Sequence, residues 1–203
     1  MKLYYTAGSC SLFPHIVLRE AGQDFTLESV DIKKKKTSGG KDLTAINPKG
    51  MVPVLQLDDG TVLTEGVAIA QYIADKVPES NLIAPIGTMA RYHCVEWFNY
   101  ISAELHKTFT PIFRPGTPET YKELLQEYLQ VRFRYINIVL SEQNYLVGNR
   151  FSVADAYLFT VMRWAQSLKL DMFRYHPALA AYLDHIAERP AVLTALKVER
   201  LKG

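Results

Sequence analysis

Short runs of strand-like apolar residues open the chain, and runs of helical period take over from about residue 88. Residues 2–6 are β-prone and are broken by Ala7-Gly8-Ser9. Residues 10–21 predict a helix in which Leu12, Ile16 and Leu18 supply apolar side chains and Gly22 gives the stop. Phe25, Leu27 and Val30 predict a second strand. Residues 31–40 carry Lys33-Lys34-Lys35-Lys36 ahead of Gly39-Gly40 and read as a loop, with a short helical turn over 41–46. Asn47-Pro48-Lys49-Gly50 is dense in turn formers. Residues 52–57 and 61–63 then predict two strands joined by an Asp58-Asp59-Gly60 hairpin turn. Val67, Ala70, Ile73 and Ala74 keep helical spacing to about Lys76. The order β-α-β-α-β-β-α predicts an α/β sandwich with helices over a four-stranded mixed sheet.

Pro78, Pro85 and Gly87 mark residues 77–87 as a linker, and no strand pattern appears beyond it. Val95, Phe98, Ser102, Leu105 and Phe109 predict one long helix over 88–113. Pro115-Gly116-Thr117-Pro118 breaks it, and Thr117 is placed to cap the next helix with Pro118 at its first position. Leu124, Tyr128, Val131, Tyr135 and Ile138 carry that helix to about Ser141. Val153, Tyr157, Val161, Trp164 and Leu168 form another, and two shorter helices close the chain over 179–186 and 192–196. The expected domains are therefore 1–80, α/β, and 88–203, all-helical.

A chain of 203 residues accommodates two such domains. Net charge is +2 with the signs interleaved, which excludes binding to nucleic acid by phosphate neutralisation. No apolar run approaches the roughly 20 residues of a membrane span, and the first residues lack a signal peptide's apolar region, so a cytoplasmic protein is expected. Cys10 and Cys94 fall in different domains, which fits two free thiols in a reducing compartment. Their spacing from the histidines does not assemble a zinc-type ligand set, so no metal is expected.

Candidate chemistry gathers in the first domain. Cys10 stands where a strand hands over to a helix, and the positive end of a helix stabilises a thiolate there. The same residue also reads as a small buried apolar group. Position 13 is Phe13, so Cys10 has no Cys-x-x-Cys partner and acts as a monothiol. A cis Val52-Pro53 bond would turn the Val52 backbone outward to pair, strand-like, with a peptide ligand; a trans proline at a strand start is the plain alternative. Glu65-Gly66 opens a helix: the Gly66 N–H suits a carboxylate and Glu65 an amine, although Glu65 also simply complements the helix dipole. One lysine of the 33–36 run could hold a second carboxylate.

Together these residues resemble the glutathione transferase family, and most nearly its bacterial beta class, over essentially the whole chain. The matching stretches are Met1-Lys2-Leu3-Tyr4-Tyr5 with Gly8-Ser9-Cys10-Ser11-Leu12; Asn47-Pro48-Lys49-Gly50-Met51-Val52-Pro53-Val54-Leu55; Leu63-Thr64-Glu65-Gly66-Val67-Ala68-Ile69; Glu96-Trp97-Phe98-Asn99-Tyr100 with Glu104-Leu105-His106-Lys107; and Ser152-Val153-Ala154-Asp155-Ala156-Tyr157. The resemblance implies a thioredoxin-like first domain followed by an all-α domain, with glutathione bound between the domains as cosubstrate and conjugated to a small hydrophobic electrophile. Thiol–disulfide exchange or peroxidase chemistry through Cys10 is a further implied activity. Cys10 and His106 would be catalytic. Cys10, Lys35, Val52, Pro53, Glu65, Gly66, Asn99, Ala103, Glu104 and His106 would contact glutathione, Glu104 from across a homodimer interface. Phe109, Phe113, Tyr157 and Trp164 would line the electrophile groove, or else form helix core. Ser152-x-x-Asp155 is identified with the family's buried capping box, a folding device.

Two departures stand out. Many family members have serine where this chain has Gly66, and the isomerase branch has two serines before its cysteine where this chain has Gly8-Ser9. Tyr5 lies near the strand position that tyrosine-dependent members use. A non-enzymatic regulatory or ligand-binding protein of the same fold, and a specialised isomerase or dehalogenase, remain the alternatives.

Overall fold

The computed structural model describes residues 1–168 and 172–201. The chain divides into two compact units, Met1–Ile83 with Ala187–Gly203, and Ala84–Ile186.

The first unit is built on a five-stranded sheet in the order β3-β2-β1-β4-β5. β1 (Lys2–Tyr5) lies at its centre, parallel to β2 (Thr26–Asp31) and antiparallel to β4 (Val54–Gln56), which pairs in turn with β5 (Val62–Thr64). The fifth strand, β3 (Lys36–Thr37), falls inside the stretch read as a loop. The Asp31 carboxylate accepts from the Lys33 and Lys34 amides, which turns the chain so that Lys36 and Thr37 run back antiparallel to Asp31 and Val30.

Alternation assigns the two faces of the sheet. Tyr4 and Val54, paired across β1 and β4, pack with Val30, Val52 and Leu43 of the short helix α2 (Leu43–Ile46). Leu3 and Leu55 point the other way, the face covered by α1 (Leu12–Glu20) and α3 (Gly66–Lys76), which pack on each other. The Asp42 carboxylate caps α2 through the Thr44 amide at 2.8 Å, the local bond that lets so short a helix form. The last helix of the chain, α10 (Pro190–Val198), packs on α1 within this unit. The sequence expectation groups residues 187–203 with the helical domain; the structure groups them with the sheet.

The second unit is helical. The expected helix over 88–113 is one rod in three parts: α4 (Met89–Tyr100), a π-helical stretch Ile101–His106, and α5 (Lys107–Phe113). Thr88 caps its start through the Arg91 amide. Each residue that a π turn adds rotates the rest of the helix by about 100°. Ser102, which the apolar spacing places on the buried stripe, is half-buried and Ile101 is fully buried, while Leu105 and Phe109 keep their expected buried places.

α6 (Glu119–Glu142) begins one residue later than expected, with Pro118 rather than Thr117 at its cap. It buries Leu129, Phe133, Ile136 and Leu140. The stripe that announces this helix in the sequence faces outward instead, with exposures from 37% at Tyr128 to 61% at Leu124. α7 (Val153–Ser167), α8 (Met172–Tyr175) and α9 (Pro177–Ala187) complete the unit. α7 packs on α4 and the π stretch, with Val153, Ala154, Leu158, Val161 and Met162 fully buried.

Candidate active site

The loop that carries Cys10 is organised by Ser11, which is fully buried. Its hydroxyl accepts from the Thr6 amide and donates to the Thr6 carbonyl, both at 3.1 Å, and lies 2.8 Å from the Ser9 hydroxyl. α1 starts at Leu12, so Cys10 stands two residues ahead of the helix. Its sulfur donates to the Val52 carbonyl at 3.3 Å. That bond joins two residues 42 positions apart, and they are the two that the sequence assigns to the ligand thiol and the ligand backbone.

The sequence leaves the protonation of Cys10 open between a thiolate at a helix end and a small buried group. Burial pushes the Cys10 thiol up to about 11, and the nearby negative charge of Glu65 adds to the rise; its own backbone amide and the Ser9 hydroxyl pull the other way without prevailing. Two hydrogen bonds and a helix end two residues away do not repay the desolvation of a thiolate. That direction favours the protonated thiol, which agrees with its donation to Val52.

The Val52-Pro53 bond is cis. Lys35 reaches the same segment: its ammonium donates to the Gly50 carbonyl at 2.6 Å, and its side chain packs over Gly50. Asn47 steadies the turn by donating to the Met51 carbonyl at 2.9 Å. Glu65 sits at the start of α3 with φ 69° and ψ 117°. Lys35 and Glu65 are two of four non-glycine residues with positive φ among the described residues. Such backbone costs about 1–3 kcal/mol per residue and collects at ligand sites.

The Glu65 side chain pairs with the Lys49 ammonium at 2.5 Å, and Lys49 also donates to Thr64 at 2.8 Å. A Cβ on Gly66 would stand 3.3 Å from the Phe13 ring and 3.6 Å from Pro53. Serine at this position would press on Phe13, so the glycine follows from how closely α3 approaches α1. Tyr5 turns toward His15, with ring centroids 6.3 Å apart.

In the helical unit, the remaining predicted residues lie on or just before the π stretch. Asn99 and Ala103 are exposed and His106 is half-buried. The Asn99 side chain donates to the Val95 carbonyl at 2.9 Å. His106 Nδ1 lies 2.7 Å from the Tyr157 hydroxyl, and its ring meets Trp164 edge-on at 4.9 Å. Of the four predicted groove aromatics, Phe109 and Tyr157 are core, while Phe113 is 48% exposed and Trp164 is half-buried beside it at 6.3 Å.

Glu104 is engaged inside its own unit. Its Oε2 accepts from Arg132 Nε and Nη2 at 3.0 and 2.9 Å and from the Tyr128 hydroxyl. The Tyr128 and Arg132 bonds hold its carboxyl below the usual range. Asp155 is fully buried and accepts from Ser152 N and Oγ, from the Leu146 amide and from the Tyr182 hydroxyl. All four donors are structural, as expected of a capping box. Cys94 is buried, and burial and then the Asp155 charge push its thiol up to about 12. Among the described residues no group of three or more His, Cys, Asp or Glu side chains is placed to hold a metal ion.

Comparison with known proteins places this geometry. The chain is 54% identical over 202 residues to glutathione S-transferase GstA of Escherichia coli O157:H7, covering 100% of both. The chain belongs to the glutathione S-transferase family. The models for that family's N-terminal and C-terminal domains match residues 8–76 and 100–190. A sphingomonad glutathione S-transferase solved in complex with glutathione is 42% identical, with a TM-score of 0.95 over 100% of both chains. A beta-class glutathione S-transferase of Sphingomonas chungbukensis is 39% identical, with a TM-score of 0.96 over 100% of both. The α/β unit is thus the family's thioredoxin-like domain, and the helical unit its all-α domain.

In this transferase the structure brings together Cys10, Val52 and Pro53, sets Lys35 against the adjoining turn and places Gly66 against Pro53. Lys49 was missed by sequence reasoning. Its only signal is its place in Asn47-Pro48-Lys49-Gly50, and the hairpin that returns Thr64 and Glu65 alongside that turn is a tertiary event. The π stretch was missed as well, because six residues of helical composition carry no mark of i→i+5 bonding.

Proposed function

We propose that this glutathione transferase holds the tripeptide as an added strand beside Val52. The γ-glutamyl amine goes to Glu65 and its carboxylate to the Gly66 N–H; the glycine carboxylate goes to Lys35; the ligand sulfur lies at Cys10. The observation that carries this reading is the 3.3 Å bond from Cys10 to the Val52 carbonyl, which places a thiol at the backbone that would pair with the ligand's cysteinyl residue. When glutathione takes the Val52 carbonyl, the Cys10 S–H is released from it and can turn to the ligand sulfur, offering a hydrogen bond rather than a charge. The sulfur, once it has lost its proton to solvent, attacks an electrophilic carbon: a C–S bond forms, and the leaving group departs with its electron pair. Phe113 and Trp164 are the aromatic surface for a small hydrophobic electrophile. By family resemblance His106, Asn99 and Ala103 would also contact the tripeptide. Two unpaired cysteines support a cytoplasmic, reducing location.

Glu65→Gln tests the ligand assignment. Glu65 is largely exposed and already paired with Lys49, so the loss lies at the low end of the roughly 1.5–3 kcal/mol of a charge-assisted hydrogen bond, a rise of about tenfold in Kd for glutathione. An unchanged Kd by calorimetry removes Glu65 from the site.

The same reading includes a homodimer. The outward stripe of α6, Tyr121, Leu124, Tyr128, Val131, Tyr135 and Ile138, is too long a row of large apolar side chains to be left to water. Glu104 stands beside it, bonded to Tyr128 and Arg132, and from there it would reach a neighbour's ligand. Light scattering is expected to give twice the 23.0 kDa chain mass at micromolar concentration, and a 23.0 kDa particle overturns the dimer.

A further inference from the structure

Glu199 follows α10 and turns its carboxylate inward, where it is fully buried. Its Oε2 accepts from the Gly8 amide at 2.9 Å, and its Oε1 lies 2.8 Å from His15 Nδ1. His15, also fully buried, has its other nitrogen 2.8 Å from Arg19 Nε. Arginine Nε only donates, so His15 Nε2 must accept, and the imidazole proton sits on Nδ1 and is donated to Glu199. Every atom of the chain Arg19–His15–Glu199–Gly8 then has one role, and Glu199 must accept twice. The two donors meet different oxygens, so a carboxylate satisfies both, whereas an amide would set its NH2 against one of them.

Burying a carboxylate is costly, and helix packing alone does not call for one. The same two helices are already tied by Glu20 on α1 and Arg189 at the start of α10, a two-bond pair at 2.6 and 2.9 Å. What distinguishes Glu199 is its target. Gly8 has φ +71°, a conformation suited to glycine, and a Cβ there would stand 3.4 Å from Leu201. Cys10 is two residues further on. The loop is thus held at Ser11 by Thr6 and at Gly8 by Glu199.

We propose that Glu199, aligned by His15 and Arg19, is a positioning residue that pins the Gly8 amide and so sets the Cys10 sulfur against the Val52 carbonyl. For its effect on turnover, this rests on the reading of Cys10 as part of the glutathione site.

The test is Glu199→Gln, with Glu20→Gln as the comparison at the same helix pair. In Glu199→Gln the Gly8 amide is expected to exchange its hydrogen at least tenfold faster, and iodoacetamide to alkylate Cys10 several times faster at fixed pH, as the loop opens locally. For conjugation, kcat is expected to fall about tenfold with KM for glutathione within about twofold, the mark of lost positioning rather than lost binding. Glu20→Gln is expected to lower the thermal midpoint and leave kcat, exchange and alkylation unchanged. Equal losses of kcat in both variants, or wild-type exchange and alkylation in Glu199→Gln, overturn the proposal. Exchange and alkylation are read without glutathione; if they change while kcat does not, the pin stands and the reading of Cys10 fails. Should Glu199→Gln not fold, the wild-type protein decides: a protected Gly8 amide supports the pin, and one that exchanges like an exposed loop amide overturns it.

Discussion

Cys10→Ala will abolish the formation of a mixed disulfide between this protein and oxidised glutathione, and conjugation will fall by less. In the exchange step the Cys10 thiolate attacks one sulfur of the disulfide: a new S–S bond forms, the old one breaks, and glutathione thiolate leaves. With a thiol pKa of about 11, only about one Cys10 in ten thousand is ionised at pH 7. The sign is fixed by that direction. Raising the pH increases the thiolate fraction, so the rate should climb about tenfold per unit between pH 7 and 9 and level off only toward 11. Mass spectrometry is expected to map the adduct to Cys10, since Cys94 is buried with a thiol pKa near 12. In conjugation the nucleophile is the ligand's own sulfur, and Cys10→Ala removes one neutral donor from it. A mixed-disulfide rate that is flat above pH 7, or an adduct on Cys94, contradicts this assignment.

Asp155→Ala is the substitution expected to cost the most stability. It strands two amides, of Leu146 and Ser152, and two hydroxyls, of Ser152 and Tyr182, in surroundings from which water is excluded. Each buried donor left without an acceptor costs about 1–3 kcal/mol, and breaking a buried charged network typically costs about 3–5 kcal/mol in all. That is a large share of the roughly 5–15 kcal/mol by which a domain is stable. Denaturant unfolding at matched protein concentration is expected to show the loss as a lower midpoint. Tyr182→Phe removes one of the four donors together with nothing else and should cost about 1 kcal/mol. Activity per folded molecule should be unaffected by either change, because Asp155 holds the start of α7 and touches none of the proposed ligand contacts. An Asp155→Ala protein with an unchanged midpoint overturns the account.

Most of the fold is legible in the chain because its signals are local. The β-α-β opening, the hairpin at Asp58-Asp59-Gly60 and the start of α7 at Ser152 each depend on residues within a few positions of one another, and each is found where the pattern places it. Cys10 and Val52-Pro53 were legible for a related reason. A cysteine at a strand–helix junction and a proline at a strand start both break the local pattern and call for an explanation. What local pattern leaves open is which face of a helix is buried. α6 carries two apolar stripes, and period alone cannot say which one the chain buries; Leu129, Phe133, Ile136 and Leu140 meet the other helices, and the stripe from Tyr121 to Ile138 is left outside.

By itself the sequence determined the α/β and helical parts, the family, and the identities of Cys10, Val52, Glu65 and Gly66 as the residues to watch. Only the tertiary structure decided their state. The Cys10 thiol is pushed up by desolvation, and the groups that surround it, Val52 among them, come from residues far away in the chain. Lys49 reaches Glu65 because a hairpin returns β5 beside the Asn47–Gly50 turn. Glu199, 191 positions from Gly8, binds the Cys10 loop because α10 packs back onto α1. Propensity and periodicity act over a few residues, whereas desolvation and buried charge pairing depend on which distant segments the fold brings together.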